Sequence, residues 1–131
     1  MHPVEAAIID SFIAPHRRER WRLSLDSTKR RVKFLDCLNH CRDLDPRYAL
    51  PLPSNADVVA LLRSRGAPER CYVVSGVDEM DGREMAIEEA VSETALHGWG
   101  AIISCIPGRL AYYYDECGER RYLLVRELPA D

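Results

Sequence analysis

Arg17, Arg18, Arg20 and Arg22, followed by Lys29, Arg30, Arg31 and Lys33, form the most unusual run in the chain. From His16 to Lys33 these eight bases face only Glu19 and Asp26, a local charge of +6. A guanidinium presents a planar fork of donors that matches carboxylates and phosphates. Such a field steers phosphates or an acidic protein surface toward the chain. Two plainer readings compete with docking. Arg18 and Arg22 also fit the solvated face of a helix. The field can also be answered inside the chain, for instance by the acids at 78–84.

Those acids are the second constellation. Asp78, Glu79, Asp81 and Glu84 follow the short apolar run Cys71 to Ser75. Carboxylates gathered beyond the carboxyl end of a strand suit a hard cation such as Mg²⁺. An enzyme reading therefore uses Asp78, Asp81 and Glu84, joined by Cys105 and Arg109. Against it, Asp81-Gly82 is a turn dipeptide, and acids before a helix answer its positive end.

Cys37, His40 and Cys41 are the metal candidates. On a helix the two cysteines share a face with His40 beside it, and Cys71 would be the nearest fourth ligand. No finger spacing accompanies them, and cysteine also buries readily as a small hydrophobe. Neither Cys105 nor Ser104 lies in a nucleophile motif that would pair it with His40 or His97. His97-Gly98-Trp99-Gly100 precedes a strand, whereas a phosphate cradle opens a helix. No metal and no cofactor is therefore expected. Tyr112-Tyr113-Tyr114 places Tyr113 opposite its neighbours on a strand, where a tyrosine can serve as a contact residue.

The elements that must carry these residues follow from periodicity. Val4, Ile8, Ile9, Phe12 and Ile13 mark a helix over 4–13, with Glu5 and Asp10 inside its pattern. Pro15 ends it and opens a basic helix over 16–25 with Trp21 and Leu25 four apart. Asp26 or Ser27 caps a third helix over 27–41, whose inward residues are Phe34, Leu35, Leu38 and Cys41. Pro46, Pro51 and Pro53 predict a surface loop. Ser54 and Asp57 form a capping box ahead of a helix over 55–65, closed by Gly66 and Pro68. Strands are predicted at 71–75, 101–106, 110–115 and 121–128, with a helix over 86–96 stopped by Gly98. Pro107-Gly108 suits a type II turn. The fold class is a mix of α+β and α/β. A helical N-terminal half packs on a mixed four-stranded sheet made of one βαβ unit and an antiparallel meander.

At 131 residues a single domain over 1–131 is expected, with about 68% of its unfolded surface buried. A 47% hydrophobic and 30% charged composition argues against disorder. No apolar run spans a bilayer, so no membrane association is expected. No basic region followed by an apolar stretch marks a secretory leader, and five cysteines match no disulfide framework, which points to the cytoplasm. Residues 1–50 carry +3 and residues 51–131 carry −6.

The reading these features favour is a small binding module. It docks an acidic protein partner through Arg17, Arg18, Arg20, Arg22, Lys29, Arg30, Arg31 and Lys33, with Tyr113 as an aromatic contact. The alternatives are the acidic-site enzyme and a nucleic-acid-binding protein. Against the latter stands an isoelectric point near 5.8. Exposed strand edges and tyrosines leave room for a homodimer.

Overall fold

The computed structural model describes residues 1–127. Helix α1 (Pro3–Phe12) starts with Pro at its first position, while His2 Nδ1 accepts from the Val4 amide at 3.1 Å. Pro15 opens a short 3-10 turn, Pro15–Arg17, that leads into α2 (Arg18–Leu25). Ser27 caps α3 (Thr28–Phe34) by accepting from the Arg30 amide at 3.2 Å. The expected single helix over 27–41 stops at Phe34 and tightens into a 3-10 segment, Leu35–His40. The tighter winding puts Leu35 and Leu38, three apart, on one line into the core. Strand β1 (Ala49–Pro51) lies in the stretch expected to be loop. Proline is tolerated there because the strand is at the sheet edge.

Helix α4 (Val58–Ser64) is shorter than expected, and the Ser54 capping box does not form. Asp57 itself is the cap, accepting from the Ala60 amide at 3.2 Å. Next come β2 (Arg70–Ser75), β3 (Arg83–Ala86), α5 (Ile87–His97), β4 (Ala101–Ile106), β5 (Leu110–Tyr114) and β6 (Arg121–Val125). Gly98 stops α5 in the left-handed conformation, as its place in the sequence predicts. The last expected strand was drawn to 128; that residue lies outside those described.

The sheet has six strands in the order β1-β6-β5-β4-β2-β3, all paired antiparallel, not the expected four in a mixed sheet. The expected βαβ unit joining 71–75 to 101–106 is corrected by β3. After β2 the chain turns at Asp81-Gly82 and returns as β3, so α5 connects β3 to β4 on either side of β2. Strands β3 and β4 therefore run parallel, with β2 between them. Arg83-Glu84-Met85-Ala86 is polar because it is an edge strand, which made it read as loop.

Side chains alternate between two cores with period two. Tyr72, Val74, Ile102, Ala111, Tyr113 and Leu124 face α1, α2 and the 35–40 segment, around the fully buried Trp21. Val73, Ile103, Leu110, Tyr112 and Leu123 face α4 and α5. Each large apolar side chain so enclosed contributes about 1.5–3 kcal/mol. Strands buried on both faces explain the unbroken apolar runs at 71–75 and 101–106. No helix among the described residues is long and apolar enough to cross a membrane.

Candidate functional site: the basic face of α2 and α3

The basic run divides into spent and unspent charge. Arg17 lies 3.5 Å from the Asp43 carboxylate, which also accepts from the Trp21 indole at 2.9 Å. Arg18 Nε donates to the Ile13 carbonyl at 3.0 Å, closing the end of α1. Arg22 pairs with Asp10. Arg18 and Arg22 tie α2 to α1, and Arg17 ties the start of α2 to the stretch after the 35–40 segment.

Arg31 is turned inward, which corrects its expected role as a docking residue. Its Nη1 and Nη2 each donate to one Glu5 oxygen at 2.7 Å. Its Nε and Nη2 donate to Asp81 at 2.8 and 3.0 Å, and Nη1 also reaches the Leu25 carbonyl at 3.3 Å. All five guanidinium N–H groups are thereby used. Glu5, only 3% exposed, also accepts from the Tyr72 hydroxyl at 2.6 Å, and Asp81 from the Ser75 amide at 3.1 Å. Burial pushes the Glu5 carboxyl up, but the Arg31 and Tyr72 hydrogen bonds outweigh it and hold the carboxyl below its ordinary value. The basic run and the acidic loop thus neutralise each other at this point. Asp81 is a ligand of arginine, with its oxygens already committed.

Four cations are left. Arg20, Lys29, Arg30 and Lys33 make no ion pair among the described residues. With Ser24, Phe34 and Cys37 they line an open groove of about 690 Å³. Helical spacing explains the assembly. Arg20 and Ser24 are one turn apart on α2, as are Lys29 with Lys33 and Arg30 with Phe34 on α3. Phe34 forms an apolar part of the groove: Arg20 stacks over its ring at 5.8 Å and Trp21 meets it edge-on at 5.1 Å. Leu23 and Val32, 57% and 72% exposed, stand on the same two helices.

The other candidates are dispersed. Asp78 and Glu84 are exposed, and Cys105 is buried against the α4 and α5 core. Glu84 and Cys105 border one shallow cleft of about 120 Å³. Arg109, in the β4–β5 turn, lines a different one with Arg65 and Arg126. The five residues of the enzyme reading do not converge. No three His, Cys, Asp or Glu side chains among the described residues are placed to share a metal. Cys37 and Cys41 pack against the core, while His40 turns out to Glu116 at 3.1 Å. Tyr113 points opposite its neighbours as expected, but it is 1% exposed and cannot touch a partner. Its hydroxyl donates to the Leu38 carbonyl at 2.5 Å and accepts from the Cys41 amide at 3.0 Å.

Burial also decides thiol chemistry. It pushes Cys37 and Cys105 up to about 12, and Cys41 and Cys71 up to about 11, while Cys117 is exposed. A thiol-reactive dye near pH 8 is expected to label one cysteine of the native chain quickly and all five after unfolding. Two or more fast native thiols would contradict the packing of the 35–41 segment.

The sequence reading missed Glu5 and Tyr72 as partners of Arg31. One signal was present: Glu5 shares the helical stripe of Ile8, Ile9 and Phe12, where an acid is out of place unless it is paired. No protein-family model, curated protein or solved structure matches the chain.

Proposed function

We propose that the chain is a binding module whose groove between α2 and α3 docks an acidic protein segment carrying an apolar anchor. The observation behind this reading is the set of four unpaired cations, Arg20, Lys29, Arg30 and Lys33, around the partly exposed Phe34 ring. Their charges attract carboxylates, and the ring takes an apolar side chain. Surfaces that combine arginine with an aromatic floor are typical of protein contacts. A nucleic-acid binder would spread its cations along a longer stripe, and the net charge of −3 opposes a polyanion.

The test uses a fluorescein-labelled peptide rich in glutamate with one central leucine, followed by anisotropy. Binding is expected to weaken steeply as salt shortens the screening length to about 10 Å at 0.1 M. The double reversal Arg30→Glu, Lys33→Glu should weaken it at least ~10-fold, about 1.4 kcal/mol. Both side chains are exposed, so the melting temperature should barely change. Unchanged affinity in the reversed chain, or tighter capture of a single-stranded DNA oligonucleotide than of the peptide, would remove this reading.

A further inference from the structure

Two of the cysteines lie on neighbouring strands. The antiparallel register of β2 and β4 runs from Ser75 opposite Ala101 to Tyr72 opposite Ser104. One further step places Cys71 opposite Cys105. Both belong to the core under α4 and α5, so both side chains leave the same face of the sheet. Both also border the cleft of about 120 Å³ at the Arg70 end of β2.

Opposed residues of an antiparallel ladder alternate between pairs that exchange main-chain hydrogen bonds and pairs that do not. The Gly76 amide donates to the Gly100 carbonyl at 3.3 Å, which makes that pair a bonded one. In steps of two, Val74 with Ile102 and Tyr72 with Ser104 are then bonded, whereas Val73 with Ile103 and Cys71 with Cys105 are not. In a non-bonded pair the Cα atoms are about 4.5 Å apart and the side chains are closest. A disulfide needs a Cα separation of about 4.4–6.8 Å. Cys71 and Cys105 meet that requirement without a shift of backbone. Cys37, Cys41 and Cys117 lie outside the strands.

We infer that Cys71 and Cys105 are a redox pair, which a hydroperoxide closes into a disulfide across β2 and β4. The inference is independent of the α2–α3 groove, which contains neither residue. The cleft has room for roughly four waters, enough for hydrogen peroxide. Arg70 beside it favours the Cys71 thiolate, which makes Cys71 the first to react. Its sulfur attacks one peroxide oxygen, the O–O bond breaks, and the departing hydroxide takes up the thiol proton as water. The Cys105 sulfur then attacks the sulfenic acid, so that the S–S bond forms, the S–O bond breaks and a second water leaves. Two thiols lose two electrons and two protons, and one peroxide becomes two waters. Closure gives up the present contact of the Cys71 thiol, which donates to the Met85 carbonyl at 3.4 Å.

The test treats the whole native chain with hydrogen peroxide, blocks the remaining thiols with N-ethylmaleimide in denaturant, and maps tryptic fragments by mass spectrometry without reductant. Fragments 71–83 and 84–109 each hold one cysteine and are expected as a single cross-linked species. The bridge restricts chiefly the unfolded chain, so the melting temperature should rise by about 5–10 °C, and dithiothreitol should reverse the rise. Cys71→Ala and Cys105→Ala should each abolish both the cross-link and the rise. Each variant is compared with its own reduced form, so lost packing cancels. Absence of the cross-linked species would overturn the proposal. So would a bridge confined to Cys37 and Cys41, or an oxidised chain that melts no higher than the reduced one.

Discussion

Replacing Arg31 with alanine is expected to lower folding stability by about 3–5 kcal/mol, the cost of leaving a buried charge without its partner. The change strips two hydrogen bonds from each of Glu5 and Asp81 and leaves the Glu5 carboxylate enclosed beside the Tyr72 hydroxyl alone. Lysine does not rescue it, because one ammonium cannot reproduce a five-donor fork bonded to α1, the end of α2 and the β2–β3 turn. Urea midpoints measure the loss, with Arg30→Ala as control. That neighbour is exposed, and its replacement should stay within about 0.5 kcal/mol.

The pH dependence identifies the cause. In the wild type the Glu5 pKa is lowered on folding, so its contribution is present above the ordinary glutamate value and fades as pH falls through the folded one. In Arg31→Ala burial acts on Glu5 with little opposition, and the carboxyl takes up a proton more readily than in the unfolded chain. The deficit of the variant should therefore be largest at neutral pH and shrink toward about pH 4. A deficit independent of pH would show that lost packing, and not stranded charge, is responsible.

Gly100→Ala is the second large effect. A Cβ at this position would lie 2.1 Å from the Leu38 carbonyl oxygen and 2.5 Å from the Asn39 nitrogen. These are backbone atoms and cannot swing aside as a long side chain would. The same contact is fastened by the Gly100 amide, which donates to Asn39 Oδ1 at 2.8 Å. Overpacking in a dense interior costs about 1–3 kcal/mol, and a backbone obstacle puts this case at about 3 kcal/mol or above. The 35–40 segment must shift from β4, so faster labelling of Cys37 and Cys41 should accompany the fall in melting temperature. An alanine variant that melts with the wild type would mean that the segment sits farther from the sheet.

What the sequence revealed and what it hid divide along local and non-local physics. The helical stripe of α1, the Ser27 cap, the Gly98 stop and the turn at Gly108 depend on neighbours in the chain, and each formed as expected. Strands β1 and β3 were not legible because an edge strand is free to carry proline or charge. Missing β3 also misassigned the direction of β2 against β4. The basic run was legible as a surface, but the division between Arg31 and its neighbours was not. Helical phase puts Arg31 in line with Phe34 and Leu35, but the acids it bonds lie 26 and 50 residues away, beyond the reach of any local pattern.

The two flanks of the sheet carry a consequence for self-assembly. One ends in a three-residue strand finishing in Pro51, with Pro53 just beyond, and the other in a four-residue strand studded with Arg83 and Glu84. Neither gives a newcomer more than a few main-chain groups to grip, and the three consecutive tyrosines that could have cushioned a second copy are all enclosed. The ribbon of strands is thus blunted against polymer growth at each end.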